Sequence, residues 1–157
     1  MVARHTYYNR HLQQLCLNYG KHPVILLGGY NNDWTLRLQE RLRFQFLPEP
    51  EHAIVDKEHV GTVWSRDQSL PYSSSDDYAL IARFYDSTTD RVVVILAGIG
   101  RNGTEAAAQF ATSPHYMQLL ADQIGSDLTK RNIEVVLKIK VIQDKTGAPS
   151  IQAVHVW

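Results

Sequence analysis

The chain has 157 residues, 44% of them hydrophobic and 20% charged, the size and composition of one ordinary globular domain, and residues 1–157 read as a single α/β domain. Lys plus Arg and Asp plus Glu both number 16, so no basic field draws the chain to nucleic acid or to an anionic membrane. A single cysteine, Cys16, excludes an intramolecular disulfide and a multi-cysteine zinc site, and no apolar run reaches the ~18 residues needed to cross a bilayer. The first residues lack the apolar core of a secretion signal, so the sequence as written is expected in the cytoplasm.

In chain order, Tyr8, Leu12, Leu15, Cys16 and Tyr19 recur at spacings of three and four before Gly20, which predicts an amphipathic helix over 4–19. Val24-Ile25-Leu26-Leu27 reads as a buried strand. It runs into Gly28-Gly29-Tyr30-Asn31-Asn32-Asp33, a turn whose Asn and Asp residues can cap a short helix over 34–42, with Trp34, Leu38 and Leu42 on one face. Strands are expected over 43–47, 53–55 and 61–65, and residues 68–77 form the longest polar loop, long enough to act as a lid. The alternating segment 78–85 and the apolar run Arg91 to Ala97 predict a hairpin across Asp86 to Asp90.

A second strand–glycine turn–helix unit follows. Val92 to Ala97 empties into Gly98-Ile99-Gly100-Arg101-Asn102-Gly103, and a helix is expected from Thr104, with Asn102 and Glu105 as a capping pair. Ser113, Pro114 and Gly125 frame another helix over 114–124. Segments 133–143 and 150–157 close the chain as a hairpin across Asp144 to Pro149. This mixture predicts an α/β sandwich with a mixed, partly antiparallel sheet flanked by helices.

Both glycine turns would lie at the carboxyl ends of strands, where ligands of such sheets bind, and backbone amides at a helix start suit an anion or a polar group. Gly29, Asn31, Asn32, Gly98, Gly100, Asn102, Gly103 and Thr104 are therefore the candidate ligand contacts. The string Gly98-x-Gly100-x-x-Gly103 matches a dinucleotide fingerprint, yet the region about 20 residues on, Met117 to Asp122, still reads as helix where a second strand should end in an acidic residue. The seven histidines show no metal-binding spacing, no serine sits in a nucleophile elbow, and no metal ligand set or firm cofactor emerges.

Several stretches together, Val24 to Leu38, Asp77-Tyr78-Ala79-Leu80-Ile81, Ala97-Gly98-Ile99-Gly100 with Gly103-Thr104 and Ala106-Ala107, and the closing His155-Val156-Trp157, resemble an uncharacterised bacterial domain over roughly residues 23–157. In that family the domain usually forms the C-terminal part of longer chains, after a winged-helix regulator or a membrane anchor. The chain departs from it at Ala108-Gln109, where similar sequences often read Gly-Glu. The paired glycine turns, the absence of a catalytic signature and the company that the similar domains keep point together to a non-catalytic sensor or small-molecule-binding module. The alternative from the residues is a small ester or lactone hydrolase that uses the Gly98 to Gly103 amides as an oxyanion hole, with Asp33, Asp77 or His155 activating water, in one version through a divalent cation.

Overall fold

The computed structural model describes residues 22–125 and 128–157; the expected helix over 4–19 and Cys16 lie outside them. The elements are β1 (Val24–Leu27), α1 (Asp33–Leu38) with a 3-10 turn Gln39–Arg41, β2 (Phe44–Phe46), β3 (Ala53–Asp56), β4 (Val63–Ser65), β5 (Asp77–Asp86), β6 (Arg91–Gly98), α2 (Arg101–Thr112), α3 (Pro114–Ile124), β7 (Ile133–Ile142) and β8 (Lys145–Val156). The expected α/β fold with a mixed sheet is what forms. Five strands order as β1-β6-β5-β7-β8, and β2-β3-β4 make a separate small sheet.

Among the described residues only β1 and β6 run parallel, with Val24 opposite Val93, and the other pairings are antiparallel. β5 and β6 are apolar on both faces because each face meets a different layer. Ile81, Val94, Leu96, Val135 and Leu137 pack against Phe110, Met117 and Leu120 of α2 and α3. Leu80, Phe84, Val93, Ile95 and Val136 pack against Phe44, Phe46 and Ile54 of the small sheet. One face is thus covered by helices and the other by a second sheet.

Three expectations shift. β1 is an edge strand and half-buried, with Leu27 57% exposed, because an apolar run does not reveal whether a neighbour strand covers it. The helix after β6 begins at Arg101 with Gly100 as its cap, so Gly103 lies in the first helical turn and outside the left-handed region, which among the described glycines holds Gly28, Gly61 and Gly125. The last hairpin turns at Gln143 and Asp144, φ 51° and 62°, and β8 begins already at Lys145, since two consecutive left-handed residues fit the twist of a tight hairpin.

Candidate functional site

The parallel pairing of β1 with β6 brings the ends of both strands to one place. Gly28 N donates to Leu96 O at 3.0 Å, and a Cβ on Gly29 would stand 2.7 Å from Gly98 O, so the turns touch backbone to backbone. Between them opens a cavity of about 470 Å³, with Tyr30 and Asn31 from the first turn and Gly98 to Arg101, Thr104 and Glu105 from the second. Tyr30 is fixed in its wall: its hydroxyl donates to Leu47 O at 2.7 Å and accepts from Ala53 N at 3.2 Å, and burial pushes its pKa up to about 12.

The positive end of α2 already holds an anion, supplied by the chain itself. Asp77, 2% exposed at the start of β5, accepts from Gly103 N at 2.7 Å, Gly100 N at 3.0 Å and Tyr78 N at 2.9 Å. Gly100 has no side chain with which to cap α2, and Asp77 does that work from 26 positions away. Burial pushes its carboxyl above the ordinary range, opposed by those three amides and by the Arg66 charge. Arg66 is buried, stacked 3.5 Å from the Tyr72 ring centroid, and its Nη2 has no hydrogen-bond partner among the described residues. Tyr72 in turn borders Gly100. The loop carrying both residues is tied down through Asp144 N to Ser73 O at 3.0 Å and Lys138 to Asp76 at 3.1 Å; Asp77 itself belongs to β5 rather than to that loop.

Most of the other candidate contacts also have structural partners. Asn32 caps α1, accepting from Trp34 N at 3.1 Å and Thr35 N at 3.3 Å while donating to Leu27 O at 3.0 Å. The Thr104 hydroxyl lies 2.9 Å from Gly98 N, which donates to it. Asn102 is not the cap of α2: it is buried in the first turn, and the Thr146 hydroxyl stands 3.0 Å from its Oδ1 and 2.9 Å from Glu105 Oε2, so its one proton serves either. Gly98 and Gly103 allow α2 to approach the sheet, since a Cβ on Gly103 would lie 2.6 Å from Tyr78 O.

Asp33, Asp77 and His155 are not gathered into one site. Asp33 is exposed at the start of α1. Asp77 pairs in register with Ile139, whereas His155 pairs with Glu134, five positions earlier in β7, a separation of about 17 Å along the strand. His155 stacks on Trp157 at 5.1 Å and lines a different cleft. With Gly100 N and Gly103 N engaged by Asp77, an oxyanion hole there has no free donor from either glycine. Among the described residues no group of three or more His, Cys, Asp or Glu side chains is placed to hold a metal ion, and no helix is long and apolar enough to cross a membrane.

Sequence reasoning passed over the cavity's charged residues. Arg101 and Glu105 sit one helical turn apart on α2, and among the described residues the Arg101 side chain has no hydrogen-bond or ion-pair partner. A cation in the first turn of a helix opposes the macrodipole, and that mismatch was the readable signal. No family model, curated protein or solved structure matches the chain.

Proposed function

We propose that the chain is a binding module for a small polar ligand seated between the two glycine turns. The observation that carries this reading is the meeting of the β1 and β6 ends around one cavity of about 470 Å³, a volume suited to a small metabolite. Because Asp77 fills the amide nest of α2, an anionic group of the ligand pairs with the Arg101 guanidinium rather than with the helix amides. Glu105 and the Asn31 carboxamide supply an acceptor and a second polar anchor, so a molecule bearing a carboxylate and a donor group, such as an amino acid or hydroxy acid, suits the lining.

The test is calorimetric titration with a panel of small carboxylates, amino acids and sugar acids. Binding that falls at least tenfold in Arg101→Ala and Asn31→Ala, with the melting temperature of the free protein unchanged, supports the module. Binding indifferent to both substitutions refutes the proposed location.

A further inference from the structure

A second pocket lies along the face of β1 and shares no lining residue with the cavity between the turns. Side chains alternate along β1 and β6: Ile25, Val92 and Val94 pack toward the helices, and Leu26, Val93 and Ile95 toward the small sheet. The same alternation puts Val24 and Arg91 on the second face, where Val24 is the register partner of Val93. Val24, Leu26 and Val93 thus form the floor of a groove of about 260 Å³, and Trp34 and Leu38, one turn apart on α1, form its wall. Only Thr89 and Arg91, at its end, are polar. Trp34 is 59% exposed, so a large ring stands against the groove with more than half of its surface left in water.

The end of the groove carries an uncommitted charge. Arg91 Nη1 donates to the His22 carbonyl at 3.2 Å, and among the described residues its guanidinium has no other hydrogen bond and no ion pair. Asp86, its register partner on β5, is already engaged: it accepts from Arg41 Nη1 at 2.8 Å, from the Thr89 amide at 3.0 Å and from the Thr89 hydroxyl at 2.6 Å. Arg37 adds another cation beside the wall, 5.6 Å from the Trp34 ring centroid. An apolar slot that ends in a planar fork of free donors suits a carboxylate carried on an apolar body. The volume is that of one ring and a short chain, since an apolar protein cavity of roughly 150 Å³ already holds benzene.

We infer that this groove binds a small monocarboxylic acid whose other end is a single aromatic ring. The ring lies on Val24, Leu26 and Val93 against the Trp34 indole, and the carboxylate takes the free edge of the Arg91 guanidinium. Contact between the two rings adds to the burial of apolar area. Arg91 supplies the selectivity, because a neutral molecule of the same shape gains the apolar contacts and forfeits the charge-assisted pair. The site is separate from the polar-ligand cavity, so neither reading depends on the other.

The test is an NMR titration of the full chain with phenylacetate and, separately, with phenylacetamide, reading the Trp34 indole N–H and the methyl groups of Val24 and Leu38. Phenylacetate should shift these signals saturably and bind about tenfold more tightly than the amide. The indoles of Trp64 and Trp157, which line no part of the groove, should stay still. In Arg91→Gln the preference for the acid should vanish while amide binding persists. Should Arg91→Gln fail to fold, salt decides in the parent: raising it from about 0.02 M to about 0.5 M should weaken the acid roughly fivefold and leave the amide unchanged. Acid bound no more tightly than amide, a preference kept by a folded Arg91→Gln, acid binding indifferent to salt, or shifts at Trp64 or Trp157 as large as those at Trp34 would overturn the inference. So would the absence of any shift at Trp34, the result expected if another part of the chain covers the groove.

Discussion

The two strand–glycine turn–helix units look alike in sequence and are held together differently. In the first, β1 is a half-exposed edge strand, and Asn32 caps the short α1 from the adjacent position. In the second, β6 is paired on both sides and nearly wholly buried, and α2 is capped by Asp77, which belongs to another strand. A local cap makes a helix start that its own residues specify. A remote cap makes one that exists only when β5, β6 and α2 are assembled together, and it consumes the amides that a ligand would otherwise use.

The contrast should be largest where the second unit is tightest. A Cβ on Gly98 would fall on Gly103 C at 2.5 Å and Gly100 O at 2.6 Å, backbone that cannot give way, so Gly98→Ala should cost more than about 3 kcal/mol. Gly125→Ala, at φ +65° with open space around it, should cost only about 1 kcal/mol. Urea denaturation of the two variants checks this, and equal losses would remove the claim that close helix–sheet approach dominates at Gly98.

Truncating the remote cap comes next. Asp77→Ala strands the Gly100, Gly103 and Tyr78 amides and should cost about 2–3 kcal/mol by the same denaturation assay. Asn32→Ala removes a half-exposed neutral cap and should cost about 1 kcal/mol. A larger loss from Asn32 than from Asp77 would reverse the comparison.

The smallest difference lies in pH. The Asn32 cap does not titrate. Asp77, its pKa raised chiefly by burial, contributes stability that is present below the ordinary aspartate value and lost as pH rises through its own raised value. Asp56 has the opposite sign: hydrogen bonding from Arg43 first, and then from His59, holds it well below the carboxylate range, so its contribution is lost only as pH falls below the unfolded value. Asp77→Asn should therefore flatten the stability profile on the side above the ordinary aspartate value and leave the acid limb intact, whereas Asn32→Ala should lower the whole profile evenly. Melting curves across that range distinguish the two shapes.

What could be read from the sequence was whatever neighbours in sequence decide. The β5–β6 hairpin, the Ser113–Pro114 start and Gly125 stop of α3, and the Asn32 cap each rest on residues within a few positions, and all form as expected. The start of α2 misled because Asn102 and Glu105 carry a capping spacing, while the group that caps the helix is distant and reads locally as part of a polar loop. β1 misled because apolar content does not distinguish an edge strand from a central one. Of the candidate contacts, Gly29 and Gly98 are brought together by a pairing between distant segments.

The parallel pairing of β1 with β6 also bears on the order of assembly. β5, β6 and the Asp77 cap need only a short hairpin and the helix that follows, whereas β1 must find β6 across the whole small sheet and β5. Closing the long loop is the entropically expensive step and is rewarded late. The β5–β6–α2 corner is thus the natural nucleus and β1 the last strand to zip, so the cavity between the turns is among the last features to appear on folding and the first to be lost on partial unfolding. A ligand held there would slow the release of β1 before it altered anything in the core.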